Sequence, residues 1–452
     1  MVTNVKVPSG SKAWDKKPPL QTSVRVFGIT VLAALLLWGV YLVYGPPLVM
    51  HSTGGLMSDT GAQGYVSGGS PSSSLFPDPA EKLVTTGIRG TGAQSRQAQV
   101  SKGKRLGHFD EYAPLPIQPV VGPLPTRGAV PLFGKKHQGR DAVFALACNY
   151  PRYNFQYFVG SLRKVGHWGD IVLAVSPLDK LDDKMQAYLR QTDVIAYAFD
   201  VDCKGEDSCK LKDEFLGYPD PRPHRTFANI RYAVYEYWMR YYNDQSYILI
   251  LDFRDTFFQS NPFQQYRYPI TERVPKYELN VYAENYKVKT IGNCVYNSMW
   301  VGECFGPPAL EEVKNLPVIC SGSTLGSYPA IRNYISIMLR GMDDIQCWRK
   351  NIESDQGYQS YYFHTGRFNT ADGNATMFAQ GTGVVNTIGA LNGHRLPADQ
   401  KGPLDTFWKM RDEDGFILNN DGTRSAVVHQ WDRFEEELLP FVESDRLFDR
   451  IA

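Results

Sequence analysis

The densest chemistry in the chain lies in YILILDFRDTFFQSNPF, residues 247–263, where an apolar run gives way abruptly to Asp252, Arg254 and Asp255. Carboxylates at the C-terminal edge of a buried parallel strand stand where open α/β sheets bind ligands. Hard oxygen donors in that position suit Mg2+ or Mn2+, which can bridge protein carboxylates to a diphosphate. Such an ion neutralises the charge that builds on a departing diphosphate. Arg254, between the two acids, can offset the same charge by itself and so loosen the need for metal. The competing reading is structural, an ion pair closing a turn, since short acidic side chains commonly cap turns.

The elements that must hold these groups can be read outward from them. DAVFALACNY reads as a buried strand, YNFQYFVGSLRKVG has helical spacing at Phe155, Phe158, Val159 and Leu162, and DIVLAVS is a second strand. The amphipathic stretch LDKLDDKMQAYLRQT then precedes a third strand, DVIAYAFD. Strands alternating with helices predict an α/β protein with a Rossmann-type, mostly parallel sheet flanked by helices. A long helix over 226–242, with Phe227, Ile230, Val234, Trp238 and Tyr241 on one stripe, leads directly into the acidic strand. Ser321-Gly322-Ser323 reads as a loop of small residues before a helix starting near Pro329, with Ser327 as its cap.

Composition removes several function classes. A formal net charge of +1 gives no electrostatic reason to expect nucleic acid as a partner. The chain contains no G-x-G-x-x-G after its first strand and no P-loop, G-x-S-x-G or H-E-x-x-H, which removes the usual starting points for dinucleotide, NTPase and hydrolase chemistry. Its 7 cysteines include no C-x-x-C pair, so a zinc site has no support. Two close pairs, Cys203 with Cys209 and Cys294 with Cys304, are the expected bridges in an oxidising compartment.

Residues 26–44, VFGITVLAALLLWGVYLVY, form an uncharged apolar run long enough to cross a bilayer core of about 30 Å. Lys6, Lys12, Lys16, Lys17 and Arg25 precede it, and the first cation after it is Lys82. That bias predicts a single-pass type II topology: a cytoplasmic tail over 1–25, a signal-anchor over 26–44 and a lumenal remainder. Residues 45–139 are rich in Gly, Pro and Ser and read as a disordered stem, with the catalytic domain over 140–452. Asn374-Ala375-Thr376 is an N-glycosylation sequon, expected on a lumenal surface loop.

The acidic strand and its turn resemble the D-x-D strand of GT-A-fold glycosyltransferases. The similarity runs through most of 140–435 and takes in Asn149-Tyr150, the helix before the acidic strand, Cys320-Ser321-Gly322-Ser323, Asp355-Gln356 and Val428-His429-Gln430-Trp431-Asp432. The family pattern has acids at i and i+2, whereas here they stand at i and i+3. Aligning on TFFQSNP puts Asp255 at the second acid and Phe253 at the first. The resemblance implies Asp255, Asp252 and His429 as metal ligands. It makes Asp355 the leading catalytic carboxylate, with Glu284 as runner-up. It implies Asn149, Tyr150, Arg231 and Arg254 on the nucleotide-sugar side and Ser321, Gly322 and Ser323 near the acceptor. Arg231 and its neighbour Asn229 also read as solvated residues on the helix surface.

Together these expectations describe a Golgi glycosyltransferase that moves a sugar from a nucleotide diphosphate donor to a glycan or glycoprotein, assisted by Mn2+ or Mg2+. The alternative is an inactive GT-A-like head acting as a membrane-tethered carbohydrate-binding protein, for which the altered acidic motif speaks.

Overall fold

A computed structural model describes residues 128–134, 137, 141–204, 208–264, 277–345, 355–392, 404–444 and 447–448. The expected tail, the anchor and nearly all of the stem lie outside the described residues. Among the described residues no helix is long and apolar enough to cross a membrane.

The chain enters through strand β1 (Ala142–Ala147), helix α1 (residues 152–164, with a wide π turn over Gln156–Gly160) and β2 (Asp170–Val175). Helix α2 (Asp183–Gln191) follows, its first turn held by Asp182, whose carboxylate accepts from the Met185 amide at 2.7 Å. Next come β3 (Ile195–Ala198), the antiparallel pair β4 (Val201–Cys203) and β5 (Cys209–Leu211), and helix α3 (Phe227–Met239). Beyond α3 lie β6 (Tyr247–Leu251), β7 (Thr256–Phe258), β8 (Leu279–Ala283), α4 (Val295–Phe305) and β9 (Ile319–Ser327). Later elements include α5 (Tyr328–Ile345), α6 (Asp355–His364), β10 (Ala375–Phe378), β11 (Val385–Thr387), β12 (Val427–His429) and α7 (Glu435–Val442).

The main sheet runs β10-β8-β9-β6-β1-β2-β3. All neighbours pair parallel except β9, which is antiparallel to both β8 and β6. The expected mostly parallel α/β sheet is therefore present. Side chains alternate across it: Ala142 and Phe144 of β1 join the core on one face, Val143, Ala145 and Ala147 that on the other. Burial on both faces explains why these strands read as unbroken apolar runs. A second, smaller sheet runs β11-β12-β7, its β7 following closely on β6 in the chain.

Four expectations need correction. Ser321-Gly322-Ser323 is not a loop but part of β9, a wholly buried inner strand. Its small residues admit close neighbours on both sides, and that same smallness hid the strand from any apolar pattern. Ser327 does not cap the next helix; its hydroxyl accepts from the Glu278 amide at 3.2 Å. The stem is not featureless to 139, because Leu132 donates to the Ala196 carbonyl at 2.7 Å and Phe133 is buried. Cys203–Cys209 is bridged as expected, but Cys294 is a free thiol and Cys304 is engaged in a different disulfide. Cys294 stands at the N-cap of α4 and Cys304 in its last turn, and a rise of about 1.5 Å per residue sets them roughly 15 Å apart, beyond the ~7 Å a disulfide spans.

Candidate metal centre

The site forms where β6 stops. The Asp252 amide donates to the Gly322 carbonyl at 2.9 Å, continuing the β6–β9 pairing one residue past the strand. Thr256 Oγ1 then donates to the Asp252 carbonyl at 2.7 Å, closing the turn that carries Arg254 and Asp255. Pairing between β7 and β12 sets Thr256 opposite His429, so the imidazole arrives beside Asp255 from a strand formed near the end of the chain. Phe253 points the other way, packing its ring against Phe155 and Phe158 at 4.6 and 4.9 Å. The position that alignment assigned to the first family acid is thus filled by a core ring, and Asp252 supplies the carboxylate.

Three donor atoms converge. His429 Nε2 lies 3.7 Å from Asp252 Oδ2 and 3.6 Å from Asp255 Oδ1. Those gaps are too long for hydrogen bonds, and this nitrogen, fully buried, has no hydrogen-bond partner. The other oxygen of each carboxylate is already committed: Asp252 Oδ1 accepts from Arg231 Nη1 at 2.5 Å, and Asp255 Oδ2 from Arg433 Nη1 at 2.5 Å. The arginines orient the acids from behind and leave one oxygen of each facing the imidazole, as outer partners of metal ligands do. All three inward-facing atoms lie within 4.8 Å of one another. Two carboxylate oxygens and one imidazole nitrogen are a donor set suited to Mn2+ or Mg2+. The orphaned Nε2 is the observation that makes these residues fit a cation.

The electrostatics agree. Burial opposes ionisation of Asp252 and Asp255, yet Arg231 and His429 hold the first below the usual carboxylate range, and His429 and Arg433 hold down the second. Burial likewise opposes charge on His429, but Cys320, Asp255 and Asp252 around it raise its pKa well above that of an ordinary histidine.

The other candidates occupy different stations. Arg231, expected on the surface, is buried with Asn229 in α3, which is covered almost all round. Its guanidinium forks to Asp252, to Asp355 and to the Ser321 carbonyl at 3.1 Å. Asp355 opens α6, accepts from the Gln356 amide at 2.7 Å and is buried, which raises its pKa despite Arg231. Glu284 is tied up by Lys289 at 2.6 Å and by Gln356 Nε2 at 3.3 Å. Neither proposed catalytic carboxylate is therefore a free base. Gly322 lies directly under the cluster, where a Cβ would meet His429 Cε1 at 2.6 Å and clash with Asp252. Ser321 and Ser323 flank it and are buried.

Arg254 is half-exposed at the rim, 3.0 Å from Asp432 and 3.7 Å from Asp255. Tyr150 stands at the same edge, its ring 5.7 Å from Phe253. Burial raises its hydroxyl pKa, with Arg254 opposing and Asp252 and Asp255 adding to the rise. Asn149 adopts a left-handed φ of 63°, pinned by Ser176 Oγ, which accepts from its amide at 2.9 Å. Asn374 is exposed just before β10, accessible as a sequon requires. Sequence reasoning missed Arg433 and Lys289; the first lies within the same segment as His429, and nothing local marks the second.

Two carboxylates and a histidine thus converge at the C-terminal edge of an inner strand of a mixed α/β sheet, an arrangement that could hold a cation. No protein-family model and no curated protein sequence matches the chain. Among solved structures it is similar to the galactosyltransferase LgtC in complex with donor and acceptor sugar analogues, at 13% identity and a TM-score of 0.36, covering 69% of this chain and 97% of that one. It is similar also to the apo-form glycosyltransferase GlyE of Streptococcus pneumoniae TIGR4, at 13% identity and a TM-score of 0.37, over 68% and 61% of the two chains. A third is glucosyl-3-phosphoglycerate synthase of Mycobacterium tuberculosis in complex with Mn2+, UDP and glucosyl-3-phosphoglycerate, at 9% identity and a TM-score of 0.28, over 54% and 70%.

Proposed function

We propose that the chain is a glycosyltransferase that binds a nucleotide diphosphate sugar at the Asp252–Asp255–His429 edge and transfers the sugar to a glycan or glycoprotein. The observation that carries this reading is the convergence of Asp252 Oδ2, Asp255 Oδ1 and the unpartnered His429 Nε2 at the end of β6. A bound Mn2+ or Mg2+ would neutralise charge on the diphosphate as it departs. Arg254, half-exposed at the rim, would add a second positive charge for the same oxygens. Tyr150 and Asn149 stand on the neighbouring β1 edge, on the side proposed for the donor. Asp355 and Glu284 are both ion-paired, so the chain's contribution is chiefly positioning and charge neutralisation.

The same two ion pairs favour the second reading, an inactive carbohydrate-binding head, because they leave no carboxylate ready to accept a proton. Hydrolysis and transfer with a panel of UDP- and GDP-sugars, with and without Mn2+, separates the two. Turnover that requires Mn2+ and disappears in Asp255→Ala supports the enzyme. Glycan binding without turnover of any donor, unchanged in Asp255→Ala, supports the binding protein and sinks the enzyme.

The location proposed is the Golgi membrane, single-pass type II, with this head in the lumen. The charge bias around 26–44, the Cys203–Cys209 bridge and the exposed Asn374 sequon support it. A tagged full-length chain whose Asn374 carries no glycan and whose C-terminus faces the cytoplasm would rule that topology out.

A further inference from the structure

We propose that Cys320 is a positioning residue for His429, selecting which ring nitrogen faces the carboxylates; the inference rests on the cation-site reading above. Cys320 is a buried free thiol in β9. Its sulfur lies 3.6 Å from His429 Nδ1 and 3.7 Å from the Gln430 side-chain amide nitrogen. An amide NH2 can only donate, so the sulfur accepts from Gln430; with a cation on Nε2 the ring proton stands on Nδ1, and the same sulfur is the atom placed to accept it. Placing the ring proton on Nδ1 leaves the lone pair on Nε2, the atom between Asp252 and Asp255. The opposite tautomer would aim an N–H at the carboxylates and offer a cation nothing.

Strand geometry reinforces the choice. Cys320 and Gly322 lie two residues apart in β9 and share a face. The first offers a sulfur to Nδ1, and the second, having no Cβ, makes room for Cε1 of the same ring. Gln430 is held in a left-handed φ of 63°, which folds its side chain onto Gly389 and back to the sulfur. The imidazole is therefore gripped along one edge by β9 while its other nitrogen stays bare.

The test is Mn2+ binding to the full chain, followed by electron paramagnetic resonance for wild type, Cys320→Ser and Cys320→Val. Serine keeps an acceptor and valine keeps the bulk. Positioning predicts affinity within about threefold of wild type for serine and a loss of about tenfold or more for valine. The reverse order, valine like wild type and serine weak, would mean that the thiol only fills space, and would overturn the proposal. Equal affinity in all three overturns it while leaving the cation site standing. A wild-type chain that binds no Mn2+ removes both together. Should the valine variant not fold, Cys320→Ala deletes the acceptor without adding a branch against the ring, and the same ordering against serine decides.

Discussion

Arg231 and Asp252 meet at 2.5 Å, joining the buried face of α3 to the residue just past β6. The same guanidinium holds Asp355 at the start of α6, so one side chain ties three elements together at the ligand edge. The buried Asp355 and the part-exposed Asp252 share that single guanidinium, and its removal would leave Asp355 buried with no cation beside it.

Arg231→Leu is therefore expected to destabilise the fold by about 3 kcal/mol or more, the range for breaking a buried ion pair by deleting one partner. Arg231→Lys should fall between, because an ammonium lacks the planar fork that serves both acids. Urea unfolding of the three proteins checks this; a leucine variant within about 0.5 kcal/mol of wild type would contradict it.

Mn2+ should raise the melting temperature of wild type, since a ligand at a hundred times its Kd stabilises by about 2.7 kcal/mol. His429→Ala and Asp255→Ala each remove one inward-facing donor and should abolish the shift, and a chelator should reverse it in wild type. A shift that persists in both variants would place the cation elsewhere.

Gly322→Ala should lower Mn2+ affinity about tenfold or more, the scale of losing support around metal ligands. The added methyl meets His429 Cε1 at 2.6 Å and pushes Asp252 away from it. Far-UV circular dichroism should stay near wild type, because the methyl meets side-chain atoms of Asp252 and His429 and no backbone atom. Unchanged affinity would show that the cluster can shift without loss.

His137 supplies a pH dependence away from the site. Its nitrogens meet the Tyr242 and Tyr197 hydroxyls at 2.8 Å each, and burial lowers its pKa from 6.5 to about 3 despite Asp170 at 4.0 Å. Between those values the unfolded chain binds the proton and the folded chain does not. Its contribution is thus present above pH 6.5 and falls as pH drops toward 3, by at most about 1.4 kcal/mol per pH unit. In His137→Gln the plot of stability against pH should be flatter by that slope; an unaltered slope would remove the assignment.

Strands β1, β2, β3 and β6 were legible because sheets buried on both faces demand continuous apolar runs. Strand β9 escaped the same logic. Its Ser-Gly-Ser-Thr sequence carries no hydrophobic pattern, and it became an inner strand because Asp252, His429 and the neighbouring strands crowd too near for larger side chains. His429 entered the expected site only through the family resemblance, since its distance from Asp255 along the chain conceals the β7–β12 pairing that joins them.

Arg231 marks the boundary between the two kinds of information. By itself the sequence determined that Asp252 and Asp255 end an apolar strand, because a run of buried residues followed by acids has few other physical solutions. It read Arg231 and Asn229 as solvated, since isolated polar residues on a helix usually are. Only the tertiary structure decided that Arg231 is buried, that Asp355 and Glu284 are already paired, and that one oxygen of each site aspartate is left for His429. Those outcomes depend on which charges meet when α3, β9, α6 and β12 close on the same edge. Pairing across such distances in the chain is set by packing, and no local pattern records it.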